Sequence, residues 1–359
     1  MRRILVYGMT ENRGGIESYL MNYFKSFDHS KIIFDFVTDS PSVAYEKEII
    51  SLGSKIFYIP SRRENVIKNM LSIRKIVLEN GYDTVYYNIL SASAVFSMLG
   101  LLGTKRVKII THSHNNSVGN LKVHLTLRPL LNFMTDKRLA CSVTAAKFMF
   151  GKRYAKRTVI INNAVDTERF KFNSLVRNEV RKEFGIENRL VIGHIGRLCY
   201  QKNTLFLIDI FNEIVKQNKN AVLLLVGDGE DRNAVINKIN QLGLHKSVIM
   251  TGVRSDIHRL LQAMDLLLLP SRFEGLPVVL IEAQSAGLRC LTSNAVTKAA
   301  KITDLLQYIN SNASASFWAK KAIQCANYER FDTAEETKNA GFDIRTQAAY
   351  LQEVLGENV

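Results

Sequence analysis

The chain has 359 residues, a mass of 40.6 kDa, 47% apolar and 23% charged residues, which excludes collagen-like, disordered and disulfide-scaffold classes. At roughly 150 residues per domain the length points to two domains. The formal net charge of +15 is uneven: residues 1–180 carry 27 Lys and Arg against 14 Asp and Glu, residues 181–359 carry 21 against 19, and residues 101–180 alone carry 15 against 4. Such a basic half implies an anionic partner, whether nucleic acid, an acidic membrane surface or a phosphorylated ligand.

In chain order, apolar runs at 4–8, 34–38, 55–59, 84–88, 107–112, 139–142 and 158–162 read as buried strands. Helical patterns lie between them at 16–27 and 64–80, the second with Ile67, Met70, Leu71, Ile73, Val77 and Leu78 on one stripe. A polar, strand-poor break covers 164–188. Strands resume at 191–196, 222–227, 248–252, 266–270 and 290–293, with helices at 204–218, 230–243, 257–264 and 277–287 and a last one at 342–355. Continuous apolar strands alternating with helices predict parallel sheets covered on both faces. Because the pattern runs twice, two doubly wound domains in tandem are expected, each with a ligand crevice at its C-terminal strand ends. Ser91–Gly103 is the longest weakly polar stretch and is shorter than the ~20 apolar residues of a membrane span. Arg2 and Arg3 before a short apolar run do not make a signal peptide. Cys141, Cys199, Cys290 and Cys325 stand far apart without metal-ligand spacing, as expected of reduced thiols in a cytoplasm.

The sharpest motif is LLLLPSRFEGLPVVLIEAQSAGL at 266–288, a buried strand, a loop and a helix. Pro277 suits a first helical turn, Gly275 lets a ligand approach the backbone, and the helix start offers free N–H groups to a phosphate. Glu274 in the loop and Glu282 in the helix could accept bonds from two separate hydroxyl clusters, such as a sugar and a ribose. Glu282 has apolar neighbours, where a carboxylate is costly unless bonded. In IGHIGRLCYQKN at 192–203, Arg197 and Lys202 follow a strand and could neutralise a diphosphate, including charge developing on a leaving group. Gly227 and Gly229 end another strand, either bordering a nucleotide or simply turning the chain. Arg254 and Ser255 follow a strand where a base could be held, with Asp256 placed to cap the next helix.

In the first half, Gly14 and Gly15 precede a helix without the G-x-G-x-x-G pattern of a dinucleotide reader, and their N–H groups could hold a phosphate or a sugar oxygen. Glu17 would complement the helix dipole. His112 and His114, two apart at a strand end, suit a polar or acid–base role at a sugar pocket; a metal site would need a third ligand that is not found locally. His124 reads as structural or surface. Around it, LKVHLTLRPLLNFM with Lys122 and Arg128 fits either core packing or a membrane surface.

These residues resemble a known family. Gly14-Gly15-Ile16-Glu17, His112-Ser113-His114-Asn115, Asn163-Ala164-Val165-Asp166, Gly196-Arg197 with Lys202-Asn203, Gly227-Asp228-Gly229 and Glu274-x7-Glu282 are similar to the nucleotide-sugar-dependent glycosyltransferases of family 4, especially bacterial enzymes of capsule and exopolysaccharide synthesis. The resemblance implies an α/β GT-B fold: two tandem Rossmann-like domains facing a central cleft, an acceptor-binding 1–170 and a donor-binding 171–340, with 341–359 returning to the first. It implies a retaining hexosyltransferase that takes a UDP-sugar as donor, needs no cofactor or metal, and acts on a glycan or lipid-diphosphate-linked acceptor. The enzyme would be cytoplasmic, in peripheral contact with an anionic membrane and not with nucleic acid. Arg197 and Lys202 would hold the diphosphate, Glu282 the ribose and Glu274 the donor sugar. Gly15, with Gly14, would lie near the phosphates and acceptor, and one of His112 and His114 would face the reacting sugar. Gly227, Arg254, Gly275 and Leu276 would complete the donor site. The sequence departs from the family where Gly287-Leu288-Arg289-Cys290 replaces Gly-x-Pro-Val and where Ala299-Ala300 replaces a glycine pair. A nucleotide-sugar epimerase of the same fold, a non-catalytic sugar-binding relative and a basic nucleic-acid-binding protein are the competing readings. No zinc-finger, RNP-like or basic-zipper pattern supports the last.

Overall fold

A computed structural model of the chain describes residues 1–12, 14–104 and 107–357. Strands β1 (Arg2–Tyr7), β2 (Ile32–Thr38), β3 (Ile56–Tyr58), β4 (Thr84–Ile89), β5 (Lys108–Ser113), β6 (Lys137–Ala140) and β7 (Val159–Ile160) form one sheet in the order β3-β2-β1-β4-β5-β6-β7. Strands β8 (Leu190–Ile195), β9 (Ala221–Val226), β10 (Val248–Gly252), β11 (Leu266–Leu269), β12 (Cys290–Ser293) and β13 (Leu306–Ile309) form a second, ordered β10-β9-β8-β11-β12-β13. Every pairing is parallel. Parallel neighbours need a crossover, so helices separate the strands and all strand C-termini of a sheet share one edge. In both sheets the order reverses beside the first strand, which is where such folds place their ligands.

The chain divides into two compact units, residues 1–164 with 344–359, and residues 165–343. It enters the second unit at Val165 and leaves it at Asp343, which pair side by side. The Val165 N–H donates to the Phe342 carbonyl at 2.9 Å, and the Thr167 hydroxyl to Asp343 Oδ1 at 2.7 Å.

Side-chain alternation builds two core layers on each sheet. Ile4, Val6, Phe34, Phe36, Tyr86 and Ile110 pack on one face of the first sheet, under the helices Gly15–Lys25 and Ile344–Gly356. Leu5, Tyr7, Val37, Val85, Tyr87 and Ile109 pack on the other. That face is covered by the helices Val66–Asn80, Leu121–Met134 and Val143–Ala155 and by short turns at 92–101. The second sheet repeats the scheme, with Val222 and Leu224 on one side and Leu223 and Leu225 on the other.

The structure departs from the sequence expectation at three places. The 64–80 stripe is not one buried face: Ile73 and Val77 are buried, whereas Ile67, Leu71 and Leu78 are exposed. The segment after 293 holds an additional edge strand, β13, paired to β12. The strand-poor break carries two helices, Thr167–Phe170 and Ser174–Phe184. The longer one begins at Asn173, whose Oδ1 accepts from the Leu175 and Val176 N–H groups, and ends at Gly185 with φ 63°, the ordinary start and stop devices of a helix.

That helix is fastened to the sheet by charge. Arg177 Nη2 donates to Asp265 Oδ1 at 2.5 Å, Arg181 Nη2 to Asp265 Oδ2 at 2.6 Å, and the Val191 N–H to the same Oδ2 at 2.8 Å. All three side chains are largely shielded from water, so removing the carboxylate strands two guanidinium groups. Asp265→Ala is expected to lower the stability by about 3 kcal/mol, read from the urea midpoint at unchanged slope.

Candidate active site

In the second unit the loop after β8 (196–203) and the loop after β11 (270–277) lie side by side because their strands are neighbours. The Arg272 N–H donates to the Gln201 carbonyl at 2.8 Å, and Asn203 Nδ2 to the Pro270 carbonyl at 3.2 Å. Asn203 takes a left-handed φ of 57°, the turn that starts the helix Thr204–Gln217. The charges then meet: Lys202 Nζ lies 2.6 Å from Glu274 Oε1. Ser271 Oγ donates to the same oxygen at 3.0 Å and Gln201 Nε2 to Oε2 at 3.1 Å. Both members of the pair are shielded, with 16% and 8% of their side chains exposed, where an ion pair is screened far less than in water.

Arg197, by contrast, is exposed and paired with Glu230 at 2.9 Å. A β-carbon on Gly227 would collide with the Gly196 carbonyl, at a φ of 130°. Gly229 is pressed against the Leu198 backbone in the same way. The glycines that end β9 thus let the Arg197 loop pack closely and are required for that contact. Gly275 is exposed in the second loop and Leu276 packs partly into the core. The Arg254 side chain is occupied, donating to both Asp256 oxygens at 2.8 and 2.7 Å and pairing with Glu183 at 3.6 Å. Asp256 stands at the N-cap position of Ile257–Ala263, but it spends its carboxylate on Arg254 rather than on the helix N–H groups, so the expected side-chain cap is not formed.

Glu282, in the helix Val278–Ser285, has no hydrogen-bond partner among the described residues. Burial pushes its carboxyl up to about 7, against a weak opposing influence of Arg169. An unpartnered carboxyl in apolar surroundings is costly, and its raised proton affinity marks Glu282 as a candidate binding group. Sequence reasoning missed His194. Its Nδ1–H donates to the Leu268 carbonyl at 2.9 Å, which leaves the buried Nε2 unpartnered among the described residues and close to the Lys202 side chain. Burial holds the ring neutral, at about 4. A histidine inside the apolar run of β8 was the available signal.

In the first unit a cavity of about 410 Å³ opens at the C-terminal ends of β1 and β4, within the range of small-molecule sites. Gly14, Gly15, Glu17, Asp39, Asn88 and His114 are among its lining. Glu17 is buried and accepts from the Thr10 hydroxyl at 2.5 Å, so it does more than complement a helix dipole. The two histidines separate. His114 lines the cavity, its Nε2–H donating to Asn88 Oδ1 at 2.8 Å. His112 is fully buried beneath it, stacked at 4.2 Å and bonded to the Tyr86 hydroxyl at 2.5 Å. Burial holds both rings neutral, His114 down to about 3. Asn88 Nδ2 and Asn163 Oδ1 also line the cavity, buried and without partners among the described residues. Arg62 sits there over the Tyr7 ring, with its Nε 3.6 Å from Asp39. Asp39, Arg62 and Asn88 were not singled out from the sequence, where the only mark of Asp39 and Asn88 is a polar residue at a strand's C-terminal end. His124 is structural: its Nδ1 accepts from the Ala92 N–H at 3.1 Å and its ring stacks on Phe148. Among the described residues no group of three His, Cys, Asp or Glu is arranged to hold a metal ion.

Comparison with known proteins agrees with this division. The family described as "Glycosyltransferase Family 4" matches residues 13–169, and that described as "Glycosyl transferases group 1" matches residues 176–327. The EpsF protein of Bacillus subtilis (strain 168), named as a glycosyltransferase, is 30% identical over 98% of this chain and 96% of its own. The UDP-Gal:alpha-D-GlcNAc-diphosphoundecaprenol alpha-1,3-galactosyltransferase of Escherichia coli is 28% identical over 67% of this chain and 66% of its own. Among solved structures, Anabaena HepE in complex with UDP shares the fold at a TM-score of 0.80, with 20% identity and 99% of each chain covered. Two Rossmann-like parallel sheets, the return of the last helix to the first unit, and these matches together place the chain in the group 1 glycosyltransferases, with the GT-B fold.

Proposed function

We propose that the protein moves a sugar from a UDP-sugar to a lipid-diphosphate-linked or glycan acceptor in cell-surface polysaccharide synthesis, retaining the anomeric configuration. One observation carries the donor half: a shielded cation, Lys202, fixed by Glu274, lies on the same loop as exposed Arg197, and the helix after the Glu274 loop holds the carboxyl of Glu282, without a partner among the described residues. This set matches the parts of a nucleotide diphosphate sugar. Lys202 and Arg197 serve the diphosphate, Glu282 the ribose hydroxyls and Glu274 the donor sugar, with the backbone at Gly227, Arg254, Gly275 and Leu276 bordering the nucleotide. The UDP bound to HepE and the UDP-galactose donor and diphosphoundecaprenol acceptor in the name of the E. coli relative support the same choice of substrates. In the first unit the cavity with Gly14, Gly15, Glu17 and His114 takes the acceptor, the unpartnered Asn88 and Asn163 groups meeting its hydroxyls.

Chemically, the bond from the sugar's anomeric carbon to the diphosphate oxygen breaks and a bond to the acceptor oxygen forms on the same face. The acceptor proton leaves with the diphosphate. Arg197 and Lys202 stabilise the negative charge that develops on the leaving group, Lys202 from the position its ion pair with Glu274 fixes and Arg197 from the exposed side of the same loop. His114, held neutral and oriented by Asn88, positions hydroxyls rather than carrying charge.

The test is a donor screen: UDP- and GDP-linked sugars are incubated without acceptor and the freed nucleotide diphosphate is measured. Slow hydrolysis of a UDP-sugar that Glu274→Ala abolishes is the expected result. A sugar returned with inverted hydroxyl configuration would instead support an epimerase, and failure to bind either nucleotide would sink the donor assignment. Arg197→Ala is expected to cut turnover by ~100-fold or more with the unfolding midpoint unchanged, because that side chain is exposed.

Glu282 carries a separate prediction. Its folded-state value of about 7 lies above the ordinary carboxylate range of an unfolded chain, so the folded protein binds the extra proton and loses stability as pH rises through that interval. Glu282→Gln should therefore be more stable than the wild type by about 1–3 kcal/mol at pH 8, with no gain at pH 4, while binding UDP more weakly. Urea unfolding at the two pH values and calorimetry with UDP check both halves.

A further inference from the structure

A second polar cluster lines the cavity of the first unit and has no part in the transfer step proposed above. Two neighbouring strand ends and one loop build it: Tyr7 closes β1, Asp39 follows the last residue of β2, and Arg62 precedes the helix Val66–Asn80. The Thr38 hydroxyl donates to the Met9 carbonyl at 2.7 Å and accepts from the Ser40 N–H at 3.1 Å, so the turn that presents Asp39 is tied to the end of β1. Arg62 is anchored separately, its Nη1 donating to the Ser93 carbonyl at 3.1 Å and its guanidinium lying over the Tyr7 ring. The two charges then approach only to 3.6 Å, beyond hydrogen-bond distance, with 23% of the Asp39 side chain and 29% of the Arg62 side chain exposed. The Tyr7 hydroxyl and Arg62 Nε are buried and have no hydrogen-bond partner among the described residues. Burial pushes the Tyr7 hydroxyl up, so it stays a protonated donor. The sign of the charge also sets this place apart. Residues 1–180 carry 27 Lys and Arg against 14 Asp and Glu. Yet the charged side chains among the described lining are two carboxylates, Glu17 and Asp39, and one cation, Arg62, with His114 held neutral.

We infer that Asp39 and Arg62 form a hydroxyl-reading subsite that selects a sugar ring without an acidic group, so that the anionic part of an acceptor stays outside the cavity. That this ring belongs to the acceptor rests on the proposed function; its binding between these two side chains does not. A separation of 3.6 Å lets one hydroxyl oxygen lie within hydrogen-bond distance of both groups at once, donating to the carboxylate and accepting from the guanidinium. Both bonds are charge-assisted and therefore strong. A carboxylate on the ligand can only accept. It would bond to Arg62 while meeting Asp39 at close range, with Glu17 in the same lining, and like charges in a partly shielded place repel more strongly than in water. Met9, Ile89 and Ala94 in the lining give the C–H face of a ring its apolar contacts. A site built to bond a hydroxyl discriminates steeply, because a ligand that cannot make the bond leaves a desolvated group unpaired.

The experiment is a saturation-transfer NMR titration of the full chain with methyl glucoside, methyl galactoside, methyl N-acetylglucosaminide and methyl glucuronide. At least one of the three neutral glycosides is expected to bind, and the glucuronide to bind more weakly than it by ~10-fold or more. Asp39→Asn should weaken the neutral glycoside by ~10-fold and narrow or reverse the preference against the glucuronide, a change of selectivity that a loss of structure would not produce. Arg62→Lys keeps the charge but loses the planar fork, and should weaken the neutral glycoside by ~10-fold with the preference kept. Thermal unfolding of each variant reports the fold, and if Asp39→Asn does not fold, Arg62→Lys still decides. Absence of binding by every neutral glycoside, a glucuronide bound as tightly as they are, or neutral binding that neither variant weakens would overturn the subsite. The same glycosides are added to the UDP-sugar hydrolysis assay. A glycoside that binds through Asp39 but does not raise the release of UDP would keep the subsite and sink its assignment to the acceptor instead.

Discussion

The ion pair of Lys202 with Glu274 is the contact on which the arrangement of the second unit's two facing loops depends. Parallel pairing of β8 and β11 brings their C-terminal loops together, but it does not fix the side chains on them. The pair does, with Gln201 and Ser271 satisfying the remaining carboxylate positions. It holds a cation in a shielded place, and leaves Arg197 on the same loop as the water-facing charge, paired with Glu230. Around it the backbone is crowded: the glycines at 227 and 229 are needed to let the loop after β9 press against the Arg197 loop. One shielded charge, one exposed charge and one unpartnered carboxyl make a graded surface rather than a uniform basic patch.

Much of this was legible in the residues. Twelve of the thirteen strands among the described residues could be placed because buried parallel strands are continuous apolar runs, and the carboxylates after β11 stood out because Glu282 sits among Val, Leu, Ile and Ala. What escaped has identifiable causes. Strand β13, LQYI, has a polar residue and lies at a sheet edge, where only one neighbour enforces the pattern. The helix Ser174–Phe184 had its Asn173 start and Gly185 stop in plain view, but its charge density resembles a linker until Asp265 is known to lie beneath it. The exposed half of the Val66–Asn80 stripe could not be told from a buried one by periodicity, since a second apolar surface obeys the same period. The pairings of Arg254 with Asp256 and of His114 with Asn88 depend on side-chain directions that spacing does not encode.

The two units treat polar burial in complementary ways. In each, a shielded aspartate is fully engaged: Asp35, midway along β2, by Arg3, the Lys55 N–H and the Tyr82 hydroxyl, and Asp265, just before β11, by Arg177, Arg181 and the Val191 N–H. Toward the C-terminal strand ends some polar groups have no partner among the described residues, at Asn88 and Asn163 in the first unit and at His194 and, in the helix after β11, Glu282 in the second. Polar groups satisfied in one place and left open in another are a contrast within each unit.

The side-by-side entry and exit of the chain at Val165 and Asp343 has a consequence for biosynthesis. The second unit is an insertion within the first, whose core is completed by Ile344, Ala348, Leu351 and Leu355. While the ribosome is still making residues 165–343, the helix Gly15–Lys25 lacks the neighbour that covers it, so its apolar side stays open to solvent or to chaperones. The later-encoded unit can finish folding before the earlier one closes. The second unit can thus complete its core while that of the first still awaits the helix Ile344–Gly356.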